Sequence, residues 1–343
     1  MRIKESRANR MFKNKTILIT GGTGSFGQAC IKFLVKNHNL KKIIIFSRDE
    51  NKQYEMNKRF PQSNIRFFLG DIRDRERLTM AMKDVDYVIH AAALKHVPIG
   101  EYNPIEFIKT NVYGAQNIIT AAIDAKVEKV LALSTDKATN PINLYGASKL
   151  AAEKLFIAAN NMVGKQHTKF SVVRYGNVLS SRGSIVPLFI NLIKQKNNIF
   201  PLTDEKMTRF FINLPDAIKF VLSCLQNMTR GEIFVPKMPS FKISDLAKTL
   251  NSKVKFKIIG IRPGEKLHEI LISDNESRDT FESKNYYIIA SKILDQDYKK
   301  IKKKFKKVRS DFIYQSNVNK DFYNNKNKIK NLLINSKIIN KKS

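Results

Sequence analysis

Cysteine is nearly absent from this 343-residue chain: Cys30 and Cys224 stand alone, so no disulfide framework holds it together. Both fall in apolar, helix-like patterns and read as reduced core thiols. No Cys/His cluster has metal-ligand spacing. His268 and Glu269 begin a zinc-protease-like dipeptide, but no second histidine follows on that face, and no metal is expected. No apolar run approaches the roughly 18 residues of a membrane span, and the charged start MRIKESRANRMFKNK lacks the apolar segment of a signal peptide. The expectation is a soluble, cytoplasmic protein. Acidic residues are also scarce, with 30 Asp and Glu against 62 Lys and Arg, a net charge of +32. Such an excess suggests nucleic acid or an anionic membrane as partner, yet its distribution matters more than its size. From residue 299 onward, 15 Lys and Arg stand against Asp311 and Asp321, a net +13; the rest is spread through Asn-, Ile- and Lys-rich surface stretches. That pattern reads as compositional bias, with no specific nucleic-acid partner.

What is present begins with a glycine turn. Residues 1–14 read as a loose leader with Met11 as a candidate start, and Thr16–Thr20 then forms a short apolar strand. It runs into Gly21-Gly22-Thr23-Gly24-Ser25-Phe26-Gly27 and an amphipathic stretch from Gln28 to Lys36. Glycines at 21, 24 and 27 permit a tight turn, close approach to a pyrophosphate and packing of helix on strand, while the helix N-terminus offers N–H donors to phosphate. A second strand, Lys42–Phe46, ends in Ser47-Arg48-Asp49-Glu50-Asn51-Lys52 rather than on an acidic residue for a ribose hydroxyl. Ser47, Arg48 and Lys52 suit a 2′-phosphate, favouring NADP over NAD. A third strand, Ile65–Leu69, leads to Gly70-Asp71-Ile72, where Asp71 is placed to accept from an adenine amine. A fourth, Tyr87–His90, opens into Ala91-Ala92-Ala93-Leu94-Lys95-His96, small residues that let backbone lie close to a dinucleotide; His96 reads as structural. Asn111, in a long helical pattern from Asn103 to Ala125, is placed to brace the active-site backbone from behind.

The stretch around which the chain is organised follows, LALSTDKATNPINLYGASK from Leu131 to Lys149. It reads as a buried strand ending in Ser134, Thr135, Asp136 and Lys137, then a loop leading to Tyr145 and Lys149. Four residues apart, Tyr145 and Lys149 share one face if a helix starts there. A cation beside a phenol stabilises phenolate, so Tyr145 could act as a base although its ordinary pKa is about 10. The next strand, Phe170–Tyr175, is followed by Asn177, Val178, Leu179, Ser180, Ser181 and Arg182. Strands alternate with helices throughout, which argues an α/β, doubly wound parallel sheet with ligands at the strands' carboxyl ends. Beyond Ser184 the alternation loosens into a smaller C-terminal lobe, where Pro201–Arg209 and Arg262-Pro263-Gly264-Glu265-Lys266 are suited to a second anionic ligand. The domains expected are 15–183 for the dinucleotide, 184–298 mainly for substrate with segments returning to the first domain, and a basic tail, 299–343. Ile329, Leu332 and Leu333 recur at helical spacing there, which allows a short amphipathic helix, while the polar composition favours a disordered tail.

Together TGGTGSFG, STDKATNPINLYGASK, VVRYGNVLSSRGSIVP, TRFFI, GEIFVPKMPS and IGIRPGEKLHE resemble the extended short-chain dehydrogenase/reductase superfamily, with its Rossmann-type sheet. Within it they look like the inverting UDP-N-acetylglucosamine 4,6-dehydratases that begin pseudaminic acid synthesis. The likeness covers about Met11 to Ala290. Lys137 stands where the wider sugar-nucleotide dehydratases carry Glu, as in the inverting family, and Tyr145 is retained. The resemblance implies NADP as cofactor and UDP-N-acetylglucosamine as substrate. It makes Tyr145 the base at the 4-hydroxyl, with Lys149 holding the nicotinamide ribose and lowering the Tyr pKa. Lys137 becomes the base at C5, which requires a neutral amine, Asp136 the protonated acid at the leaving 6-hydroxyl, and Thr135 an orienting group. Thr23, Ser25, Phe26, Ala91, Lys95 and residues 178–182 join the cofactor set; Lys95, Asn177, Thr203, Arg262 and Glu265 form the substrate set. A homo-oligomer, from dimer to hexamer, is implied. Alternatives are a UDP-sugar epimerase, a retaining dehydratase, or a non-catalytic NADP sensor whose tail binds nucleic acid or membrane.

Overall fold

The computed structural model describes residues 11–164, 167–181 and 183–340. Six parallel strands form its first half: β1 (Thr16–Thr20), β2 (Lys42–Ser47), β3 (Ile65–Leu69), β4 (Tyr87–His90), β5 (Lys129–Thr135) and β6 (Lys169–Tyr175). They lie in the order β3-β2-β1-β4-β5-β6, with Ile17 beside both Ile43 and Tyr87, and Val130 beside both Val88 and Phe170. Every residue of β1 and β4 is buried, as expected where helices cover both faces of a parallel sheet. The order reverses between β1 and β4, and at such a switch point the crossover helices part and leave a crevice at the carboxyl ends of the strands. The alternating pattern of the sequence thus produces an α/β, doubly wound sheet.

The later half of the chain extends this sheet and builds a second body beside it. Ile233–Pro236 adds in parallel to β6, then Tyr286–Ile289, Thr280–Glu282 and Lys306–Lys307 add antiparallel, making ten strands. The smaller lobe has its own apolar core, in which Phe189 stacks on Phe200 at 4.7 Å and Phe211 on Phe241 at 4.2 Å between ring centroids. Arg174 of β6 is fully buried and ties the main sheet to the segment 271–276, which packs into the same core. It meets Glu153 on the helix Leu144–Ala159 at 2.6 Å, Glu276 at 2.8 Å and the Leu271 carbonyl at 2.9 Å. A buried guanidinium holds only when its donors are matched in this way.

Two expectations are corrected at the chain's ends. Of the leader, residues 1–10 lie outside the described residues, but Phe12 is buried, its ring against His38 and Tyr87. The segment of residues 299–340 is folded rather than a disordered tail. Helix Asp295–Lys304, strand Tyr314–Gln315 and helix Lys326–Asn335 follow one another, with Ile329 and Leu333 fully enclosed in the second core. Its few apolar residues fall at helical spacing and meet a waiting apolar surface, which outweighs the polar average. Among the described residues no helix is long and apolar enough to cross a membrane. Leu333→Ala should destabilise the protein by about 2–5 kcal/mol, measured by urea unfolding, whereas Asn331→Ala, at an exposed position of the same helix, should leave stability near that of the parent.

Candidate functional site

The glycine turn joins β1 to the helix Ser25–Asn37. Gly21 adopts φ +64°, and a Cβ there would lie 2.9 Å from Ala92 Cα, so the turn and the exit of β4 can approach this closely only without a side chain. Gly24 begins the helix with no side-chain cap, leaving first-turn N–H groups at an electropositive terminus. That geometry suits the diphosphate of a dinucleotide. Thr23 and Gly27 are buried, Ser25 half-buried, and Phe26 packs partly against the main core. Behind the turn, the Thr20 hydroxyl oxygen accepts from the Ala91 and Ala92 N–H groups at 3.2 Å, so its proton goes to His90 Nδ1 at 2.8 Å. Asn111 secures the next residues, accepting from Leu94 N–H at 2.9 Å and donating to its carbonyl at 3.0 Å.

At the end of β2, the residues expected to meet a 2′-phosphate are largely engaged with one another. Asp49 accepts from Lys52 N–H at 2.9 Å, capping the helix Glu50–Arg59, and its carboxylate also pairs with the Lys52 ammonium. Gln53 donates to the Ser47 hydroxyl at 2.9 Å; Glu50 and Asn51 are exposed on the first helical turn. Arg48 remains half-exposed, 3.5 Å from Asp71. Asp71 is engaged within the chain: Arg73 donates to its Oδ2 at 2.8 and 3.0 Å, and although burial opposes ionisation, Arg73 and Arg48 hold its pKa below the usual range. The side chain of Ile72 is buried against Gly114 and that of Leu179 in the second core, so either residue would meet a cofactor only through its backbone. Val178 is half-buried, Ser180 exposed at φ +64°, Ser181 half-buried, and Arg182 lies outside the described residues.

The tip of β5 carries the densest cluster of charge. Asp136 is fully buried and Lys137 keeps its side chain 24% exposed, so the lysine is the member that a ligand can touch. Lys137 Nζ stands 2.9 Å from Asp136 Oδ1 and 3.3 Å from Glu269 Oε1; Thr135 donates to the same Asp136 oxygen at 2.9 Å. Arg209 approaches Glu269 at 3.6 Å and Glu265 at 3.7 Å. Asn143 caps the helix Leu144–Ala159, accepting from Gly146 N–H at 2.7 Å and donating to the Gly264 carbonyl at 2.7 Å, which draws the loop 262–266 over the site. Lys95 comes within electrostatic reach; burial, and then the charge of Lys137, lowers its pKa. Asn177 lies half-buried on the short strand Asn177–Val178, Thr203 is half-buried and Arg262 exposed.

These contacts change the expected proton inventory. Burial disfavours the Lys137 ammonium, but the Asp136 and Glu269 carboxylates outweigh it and raise its pKa, so the expected neutral Lys137 is corrected to a firmly held cation. Burial raises the Asp136 pKa, partly opposed by Lys137 and reinforced by Glu269. Lys149 does share the helix with Tyr145, yet its ammonium donates to the Leu133 carbonyl at 2.7 Å and burial pushes its pKa down to about 8. Burial raises the Tyr145 pKa, and the cation that counters this is Lys137 rather than Lys149, helped by a hydrogen bond with Thr135. The roles of Glu269 and Ser316 escaped sequence reasoning, and Arg209 entered it only as the end of the segment Pro201–Arg209, suited to an anion rather than to Glu269. Glu269 had attracted notice only as half of a metal dipeptide, and its one available signal was a carboxylate set against the apolar run Ile270-Leu271-Ile272.

A family model described as a polysaccharide biosynthesis protein matches residues 17–291. The chain belongs to this family. Within the family, two Campylobacter jejuni proteins named UDP-N-acetylglucosamine 4,6-dehydratase (inverting) are 56% identical over 315 residues, 90% of this chain and 94% of each relative. They bear out the resemblance read from the motifs. A Rickettsia bellii protein named UDP-glucose 4-epimerase is 48% identical over 297 residues, 84% of this chain and 87% of its own length. The X-ray structure of Pen from Bacillus thuringiensis superposes with a TM-score of 0.88 at 38% identity, covering 96% of this chain and 99% of that one.

The buried His90 sets a pH limit on the family member described here. Burial, with the charge of Lys149 adding to it, pushes its pKa down to about 3, while in the unfolded chain it is about 6.5. The unfolded state therefore binds the extra proton between those values, and the stability present above pH 6.5 is lost as pH falls toward 3. From this residue alone the loss should reach about 2 kcal/mol by pH 5. Urea unfolding at pH 7 and pH 5 checks it, with His90→Gln expected to lose less stability across the same interval.

Proposed function

We propose that this chain is an NADP-dependent UDP-N-acetylglucosamine 4,6-dehydratase that inverts C5, releasing UDP-2-acetamido-2,6-dideoxy-β-L-arabino-hexos-4-ulose as the first step of pseudaminic acid synthesis. The observation that carries the reading is the Asp136–Lys137 pair, 2.9 Å apart at the tip of β5 beside Tyr145 and next to a dinucleotide cradle. An epimerase, which returns the same hydrogen to C4, has no use for that second acid–base pair. The identity to the Campylobacter proteins points the same way. The second reading is a UDP-sugar 4-epimerase, favoured by the Rickettsia relative. Against a sensor with a free basic tail stands the packing of the C-terminal helix into the second core.

The glycine turn, Arg48 and the Lys149 helix would hold the dinucleotide, which would supply a reversible hydride acceptor for the sugar. The chain's own residues handle the protons. Tyr145 takes the 4-hydroxyl proton. The Asp136–Lys137 couple takes the C5 proton: Lys137 receives it as its own proton passes to Asp136, so no free neutral lysine forms. The couple then protonates the departing 6-hydroxyl. Of the two protons withdrawn, one leaves in water and one is matched by a return to C5 from the opposite face. Thr135 and Asn177 orient the sugar, while Thr203, Arg262 and Glu265 border the nucleotide, where a guanidinium fork suits a diphosphate. Ile99, Tyr102, Ile105 and Tyr113 are all exposed along Val97–Tyr113, which supports a homo-oligomer.

Incubation with NADP and UDP-N-acetylglucosamine in heavy water should give a C6 methyl signal and deuterium at C5 by NMR, with Tyr145→Phe lowering kcat by about 10²-fold or more. A C4 epimer without a methyl signal would favour the second reading instead. For the cofactor, Arg48→Ala should weaken NADP roughly tenfold and leave NAD little changed in equilibrium binding.

A further inference from the structure

A buried cation with one counterion constrains that counterion. If Asp136 were the only partner of Lys137, its protonation would strand an ammonium in a closed site. The structure provides a second carboxylate, Glu269, 2% exposed and 3.3 Å from Lys137 Nζ, with Oε2 buried and free of any hydrogen bond. Glu269 is itself held from several sides. Arg209 of the strand Thr208–Ile212 stands at 3.6 Å, and Lys266 on its own segment adds positive charge. The C-terminal segment grips its backbone: Glu269 N–H donates to Ser316 Oγ at 3.0 Å, and Ser316 N–H donates to the Glu269 carbonyl at 2.9 Å. Ser316 Oγ also bonds Thr208 Oγ1 at 2.7 Å.

We propose that Glu269 is a positioning residue, the permanent counterion that anchors the Lys137 ammonium so that Asp136 is free to gain and lose a proton, and that the C-terminal segment through Ser316 sets it in place. The inference rests on the proposed dehydratase reading and deepens it. Two carboxylates on one ammonium allow one to be neutralised while the other keeps the charge paired. The division of labour follows from surroundings. Burial opposes ionisation of Glu269, but Lys137, Arg209 and Lys266 overcome it and lower its pKa, whereas burial and the charge of Glu269 raise that of Asp136.

The groups facing Glu269 are Asp136, Lys137 and Tyr145 from the tip of β5 and its helix, Arg209, and Lys266 from its own segment. Removing its negative charge weakens proton affinity at both Asp136 and Lys137. In Glu269→Gln, kcat should therefore fall by about 10²-fold, KM for the UDP-sugar should stay within about threefold, and both limbs of the kcat–pH profile should move to lower pH by about one unit. Glu269→Asp, which keeps the charge but withdraws it, should recover part of kcat with a smaller shift in the same direction; it carries the test alone if the Gln variant does not fold. A second readout needs no substrate. The carboxylic-acid carbonyl band of Asp136 in infrared spectra, assigned by its loss in Asp136→Asn, should titrate at lower pH in Glu269→Gln. Parental limbs and an unmoved Asp136 band would overturn the proposal, as would activity lost only in step with melting temperature. A parent enzyme making no methyl product, with the band shift intact, would overturn the dehydratase reading and leave the role of Glu269 standing.

Discussion

The pairing of Lys137 with both Asp136 and Glu269 recruits residues 133 positions apart in the chain. Charges removed from water must be matched or the fold loses several kcal/mol, so the segment bearing Glu269 has to lie against the tip of β5. The neighbouring contacts serve the same closure: Lys266 Nζ donates to the Thr139 carbonyl at 2.6 Å, and Asn143 donates to that of Gly264. Arg174, enclosed between Glu153 and Glu276, repeats the device within the main body, where it fixes the segment 271–276 against β6.

That placement follows from the sheet. A parallel sheet covered on both faces leaves its strand ends as the places where polar side chains reach solvent. The glycine turn after β1, the Ala91–Ala92 backbone after β4 and the Thr135–Lys137 tip after β5 sit side by side because β1, β4 and β5 are neighbours. One end of the crevice is built from backbone and is suited to phosphate. The other is built from charged side chains and is suited to moving protons.

Much of this was legible in residues close together in the chain. Strand, glycine turn and helix announce themselves over Thr16–Lys36, and Tyr145 and Lys149 share a helix as their spacing requires. The roles assigned to Lys137 and Lys149 were less secure, because a pKa depends on partners and burial rather than on residue type. Asp71 and Arg73 show the same limit: two residues apart, they satisfy each other. The C-terminal segment misled through its average composition, since a few apolar residues at the right spacing suffice when a partner surface already exists.

By itself the sequence determined the period of its hydrophobic pattern, the turns that only glycine permits, and the chemical groups at each strand end, all local properties carried by neighbouring residues. Tertiary structure alone decided which carboxylate faces which cation, that Glu269 and Ser316 stand behind Lys137, and that Asp136 is closed off while Lys137 is open. These depend on distances between segments far apart in the chain and on the exclusion of water, and neither exists until the sheet and the smaller lobe have come together.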